Sequence, residues 1–218
     1  YYKNTNDLNT LKECLGHYMN EINIVMEPTV MEYGSLKIAL IPWICQDNYE
    51  QSMNFIKECK ADWCGAHLEL NGFDFMKGVE SHGGMDHKLF KKFEQVLTGH
   101  FHVSSRRDNV WYLGAQSEFF WSDAGDKKYF HIIDTETRNI ERIHNPHTLF
   151  EKIVYKDDEI DYNSYNVNNL DKKFVKVVVV NKTDNFIFDR FIDKIQSKDI
   201  YDLKITENFK EFIGENVG

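Results

Sequence analysis

Three histidines occupy positions in this chain where side chains could bind a metal ion. His67 follows the apolar run Trp63-Cys64-Gly65-Ala66, while His100 and His102 follow Val96-Leu97-Thr98-Gly99. Both runs read as short β-strands, so the histidines sit at carboxyl ends of strands. In extended backbone residues i and i+2 point to one side, which lets His100 and His102 face a common cleft. Gly99 has no Cβ and lets the chain turn close to an ion or a phosphate. Imidazole suits Mn, Fe or Zn, and two ligands on one short loop can serve adjacent ions. A lone histidine is more often a surface or hydrogen-bonded core residue, and His67 taken alone is better read that way. The Gly-His-Xaa-His string after an apolar strand favours metal ligation, and three histidines at matching strand ends strengthen it.

Other residues carry weaker signals. His82, beside Gly83-Gly84, can be a substrate contact or a structural turn residue. Arg106 and Arg107 can neutralise phosphates of a substrate or stand as an ordinary exposed pair. Glu69 is either a group supporting the metal ligands or a solvated carboxylate. His131 lies among apolar neighbours and reads as a strand residue, and His17, His87, His144 and His147 have no partner pattern. Lys77, Lys88, Lys91 and Lys92 join the two arginines as candidates for a local basic patch. The formal net charge of -9 excludes a broad basic surface as the main hold on nucleic acid. A substrate held by metal ions and a local patch remains compatible with it.

The elements that must position these residues follow from periodicity. Leu8, Leu11 and Leu15 predict a short opening helix. Ile22–Met26 and Leu36–Ile41 read as β-rich runs around a turn at Tyr33-Gly34-Ser35. Asp47 or Asn48 caps a second helix with Tyr49, Met53, Ile56 and Cys59 on its apolar face. A third helix is expected over Asp86–Glu94, then strands at Val110–Leu113 and Tyr129–Ile133. The stretch from His144 to Lys173 is weakly periodic and reads as a connector. Beyond it come a buried strand at Phe174–Val180, a helix capped by Thr183 or Asp184, and a strand at Tyr201–Thr206. Alternating helices and strands, then consecutive strands, predict a layered α/β architecture.

The chain of 218 residues, 42% of them apolar, can hold one domain and a small second one. No uninterrupted apolar run reaches the ~18 residues of a membrane span. Cys14, Cys45, Cys59 and Cys64 contain no CxxC pair and read as free thiols of a reducing, cytoplasmic compartment. The opening Tyr1-Tyr2-Lys3-Asn4 has neither an initiator Met nor a signal-peptide pattern, which suggests a fragment.

The strings themselves bear a resemblance. Gly99-His100-Phe101-His102 resembles the last signature of calcineurin-like metallophosphoesterases. Ala66-His67-Leu68-Glu69-Leu70-Asn71-Gly72-Phe73 is similar to the single-histidine motif of SbcD-like nuclease subunits in tailed-phage recombination complexes. Ile41-Pro42-Trp43, Lys77-Gly78 with Ser81-His82-Gly83, Tyr112-Leu113-Gly114 and Asp134-Thr135-Glu136-Thr137 resemble further segments of those subunits, in family order. The resemblance implies DNA as substrate, in recombination and double-strand-break repair within a bacterial or phage-infected cell. It also implies two Mn²⁺ ions, with Mg²⁺ as the alternative, about 3.5–4 Å apart on the scissile phosphate. By matching position His67 and His100 would bind one ion and His102 the other. The family's Asp-Xaa-His, Gly-Asp and Asn-His-Asp motifs, with its catalytic histidine, are not found ahead of His67. Tyr2-Lys3-Asn4 resembles the residues just after the Asn-His-Asp motif, so the chain is expected to begin behind it. It is then weak or inactive alone, with no catalytic residue of its own.

The expected fold is the C-terminal part of a metallophosphoesterase β-sandwich flanked by helices, plus a small α+β capping domain. The boundaries follow as 1–148 for the nuclease portion, 149–172 for a connector and 173–218 for the capping unit. The resemblance further implies an SbcC-like coiled-coil ATPase partner, a homodimer and no membrane association. Two other functions remain open: a non-catalytic DNA-binding or scaffold subunit, and a calcineurin-like phosphatase acting on non-DNA substrates.

Overall fold

A computed structural model describes residues 8–18 and 20–207. The chain divides into two compact units, Tyr1–Gln116 with Tyr129–His144, and Ser117–Lys128 with Asn145–Gly218. It is a mixed α/β protein.

In the first unit, α1 (Thr10–Leu15) starts where the Asn9 side chain accepts hydrogen bonds from the amides of Leu11 (3.0 Å) and Lys12 (3.2 Å). Leu8 lies ahead of that cap and Leu11 is half-exposed, so the expected apolar face is not buried here. Strands β1 (Thr29–Tyr33) and β2 (Leu36–Ile41) form an antiparallel hairpin with Tyr33 opposite Leu36. The expected run at Ile22–Met26 is not a strand. The turn at Gly34 sets the register, and five residues back from it the pairing ends at Thr29. Helix α2 (Tyr49–Glu58) then leads to β3 (Trp63–His67). A short hairpin, β4 (Asp74–Met76) and β5 (Val79–Glu80), precedes β6 (Gln95–Gly99), β7 (Ser105–Arg107) and β8 (Val110–Tyr112).

The helix expected over Asp86–Glu94 is reduced to one 3₁₀ turn at His87–Phe90. The carbonyls of Phe90 and Phe93 accept instead from the Asn109 side chain, at 3.0 and 2.7 Å. Lys92 is turned toward α2, where its ammonium donates to the carbonyls of Ile56 (2.9 Å), Lys57 (3.1 Å) and Cys59 (2.6 Å). Those are acceptors that the end of a helix leaves open.

The strands assemble into a six-stranded sheet in the order β1-β2-β3-β6-β8-β7. Strands β2, β3, β6 and β8 run parallel, so their carboxyl ends share one edge. Alternation assigns the two faces. Cys64 and Val96 point into a core with Ile56 of α2, Phe90 and Tyr112. Trp63 and Leu97 point the other way and pack with Ile133 and Ile140. Those two come from a two-stranded sheet of β9 (Lys128–Ile133) and β10 (Ile140–Asn145).

The second unit is a three-stranded parallel sheet in the order β11-β12-β13. Its strands are β11 (Phe150–Lys156), β12 (Phe174–Asn181) and β13 (Asp202–Thr206). Strand β11 falls inside the stretch expected to be a connector. Its residues pair with Phe174–Asn181, and that long-range pairing leaves no local periodic signal. The continuous apolar run Val177-Val178-Val179 is that of a central strand buried on both faces. Helix α3 (Asn185–Gln196) links β12 to β13 and buries Phe188, Phe191, Ile192 and Ile195. Its cap is Asp184, whose carboxylate accepts from the amides of Phe186 and Ile187. Buried groups tie the segment Ser117–Lys128 together. The Glu118 carboxylate accepts from the amides of Gly125, Leu149 and Phe150, and Asp123 pairs with Lys128 at 2.9 Å.

Candidate metal centre

The His67 backbone lies opposite Gly99 at the carboxyl ends of neighbouring parallel strands. His100 is the next residue, so adjacent strand ends bring the two imidazoles together. Their ring centroids are 5.4 Å apart, edge to face. A Cβ on Gly99 would sit 3.0 Å from the His67 Nδ1, so glycine leaves the room that the His67 ring occupies. His100 has φ of 94°, a conformation that non-glycine residues rarely adopt. Strain of this kind costs on the order of 1–3 kcal/mol and concentrates at functional sites.

Burial first, then the charges of His100 and His102, pull the His67 pKa down to about 4. Burial likewise lowers His100, against the opposing carboxylate of Glu69. Both rings are therefore neutral at physiological pH, the form in which imidazole binds metals. His102 lies two residues on, partly buried in the bend after β6. The His67 and His100 rings both couple to it, so the three histidines share one electrostatic neighbourhood.

The loop that follows His67 is clamped from β6 and β8. Thr98 Oγ1 accepts from the Leu68 amide at 3.0 Å. The buried Tyr112 hydroxyl donates to the Leu68 carbonyl (2.7 Å) and accepts from the Leu70 amide (3.0 Å). A third strand end contributes Trp43, just after β2, whose ring lies 5.9 Å from His67 and 5.0 Å from His100. Asn48 holds that turn, donating to the Trp43 carbonyl (2.9 Å) and accepting from the Cys45 amide (2.8 Å). Residue type alone does not mark Trp43, Thr98, Asn48 and Tyr112 as site residues. The available signal was positional, because open parallel sheets bind ligands at the carboxyl ends of their strands.

The candidate DNA contacts stand differently. His82 is exposed, and its backbone carbonyl accepts from Asn71 at 3.2 Å. Arg106 donates to Gln95 at 3.0 Å and lies over Trp111. Arg107 pairs with Glu80 at 3.3 Å and lies over Phe73. It lines a surface hollow with Asn71, His87 and Lys88. Both arginines are exposed, so neither pairing withdraws them from solvent.

The residues present fit part of a metal site. His67 and His100 supply two neutral nitrogen donors at one sheet edge. Among the described residues, however, no three histidine, cysteine or acidic side chains are grouped closely enough to hold an ion. No helix of the described residues is long and apolar enough to cross a membrane.

The first unit thus places two imidazoles at the ends of adjacent parallel strands. No family model matches the chain. The chain is 34% identical over 206 residues to exonuclease subunit 1 of Enterobacteria phage T4, a match covering 86% of this chain. It spans about 60% of the length of that relative. The identity supports a link to a nuclease family.

Proposed function

We propose that this chain is part of a metal-dependent DNA phosphodiesterase of the SbcD-like metallophosphoesterase kind, acting in recombination and repair. The observation that carries this reading is the pairing of neutral His67 and His100 at adjacent strand ends. The similarity to a phage exonuclease subunit supports it. His67, His100 and His102 would hold Mn²⁺, or Mg²⁺ in its place, together with ligands outside the described residues. When bound, such ions supply charge for the scissile phosphate and acidify the attacking water. This chain's own groups present lone pairs at Nδ1 or Nε2, while Thr98 and Tyr112 fix the loop just after His67. On this reading β12, α3 and β13 belong to the capping domain, and the complex contains an SbcC-like ATPase and a second nuclease copy.

One observation favours a second reading, a DNA-binding subunit without catalysis: the described residues group no complete ligand set. Both readings are tested on the protein that carries this chain, stripped of metal and mixed with linear duplex DNA. The nuclease reading expects nucleotide release on adding Mn²⁺, reduced about a hundredfold or more in His67→Ala and His100→Ala. Binding without cleavage in the unaltered protein would establish the second reading instead. Cleavage undiminished in both variants would remove the histidines from the site.

A further inference from the structure

A cavity of about 250 Å³ opens beside the histidine pair. Trp43, Ile44, Tyr49 and Met85 provide apolar walls, and His67 and Glu69 also line it. The cavity is therefore continuous with the candidate metal centre. Gly84 keeps the wall close to Glu69, since a Cβ there would lie 2.3 Å from the Glu69 carbonyl oxygen. Sequence periodicity expects Tyr49 on the inner face of α2, yet 48% of its surface is exposed. It stands at the first turn of that helix, on the cavity wall. Trp43, in contrast, is braced by the His67 and His100 rings.

The lining contains no lysine or arginine and does contain the Glu69 carboxylate, which disfavours an anion such as phosphate. Two aromatic side chains and a methionine suit a flat, uncharged ring system, while Gln46 and Glu69 can hydrogen-bond its polar edge. The cavity has room for a single base. We propose that it binds the unpaired nucleobase of the nucleotide whose phosphate lies at the metal centre, stacked against Tyr49 and Trp43. This rests on the nuclease reading above. It makes Tyr49 a positioning residue that selects a frayed strand end over intact duplex.

The test uses the protein carrying this chain with Ca²⁺ in place of Mn²⁺, so that the metal centre is filled while binding is read without cleavage. Oligonucleotides carry the fluorescent base 2-aminopurine at the 3′ end, at the 5′ end or internally. Stacking at one terminus should quench it on binding, with internal probes unaffected. Tyr49→Ala should weaken that terminal quenching by about tenfold in affinity, the loss expected for one base–aromatic stack, and Tyr49→Phe should retain it. Equal quenching at terminal and internal probes, no quenching at saturating protein, or unchanged affinity in Tyr49→Ala would each overturn the proposal. The nuclease reading fails separately, when the unaltered protein with Mn²⁺ releases no nucleotides whatever the fluorescence shows.

Discussion

His100 combines a side chain suited to chemistry with a backbone suited to glycine. Its φ of 94° stores strain of the kind that concentrates at functional sites. His100→Gly should therefore be more stable than His100→Ala by about 1 kcal/mol, strain relief outweighing the entropy of a freer unfolded chain. Urea midpoints of the two variants measure the difference, and equal midpoints would show that the backbone is unstrained. Tyr112 makes the complementary case. Its hydroxyl satisfies a buried carbonyl and a buried amide of the loop after β3. Tyr112→Phe removes both bonds and should cost roughly 1–3 kcal/mol. It should also weaken metal binding at His67, as calorimetric titration with Mn²⁺ would register.

Among the elements, the segment Ser117–Lys128 is held by buried charge as well as by the packing of Trp121 on Phe150. Lys128 and Asp123 are both almost fully buried and 2.9 Å apart. Replacing Lys128 by Met removes the cation 2.9 Å from the buried Asp123 carboxylate, and breaking one partner of a buried pair destabilises by about 3–5 kcal/mol. Thermal unfolding of the variant should show that loss, and a shift under about 1 kcal/mol would mean that water or another cation compensates. Helix propensity was a poor guide at Asp86–Glu94. Asn109, remote in sequence, takes the carbonyls of Phe90 and Phe93, and Lys92 is drawn to the end of α2. By contrast α3 followed its signals, with a capping aspartate and a strongly apolar face, because each of them is local.

Across the whole molecule, the histidines with depressed pKa values all lie in the first unit. Burial lowers His67, His100 and His131, the last with help from Arg142. His131 also has a buried Nε2 with no hydrogen-bond partner among the described residues. A folded state that resists protonation loses stability as the unfolded chain takes up protons. The histidine contribution is thus complete above the ordinary value of 6.5 and lost as pH falls toward the folded values, about 4 for His67. Asp134, Asp157 and Asp161 are also depressed, and their contribution is lost only below the ordinary carboxylate value of 3.8. Lowering the pH from about 7.5 to about 5.5 should destabilise the first unit, and His131→Phe should make that drop smaller. Chemical unfolding at the two pH values reads the effect, and identical drops in both proteins would mean that His131 is protonated in the folded state.

Local chemistry accounts for what was legible in the sequence. Apolar runs ending in histidine located β3 and β6, and a capping Thr183 or Asp184 located the start of α3. Those signals lie within a few residues of what they specify. The pairing of His67 with Gly99 across two strands, the capture of the Phe90 and Phe93 carbonyls by Asn109, and the recruitment of β11 into a parallel sheet were decided only by tertiary structure. So were the bracing of Trp43 by two imidazoles and the exposure of Tyr49 on a cavity wall. Each joins groups far apart in the chain, and their partners are set by strand order and register, which residue periodicity does not encode.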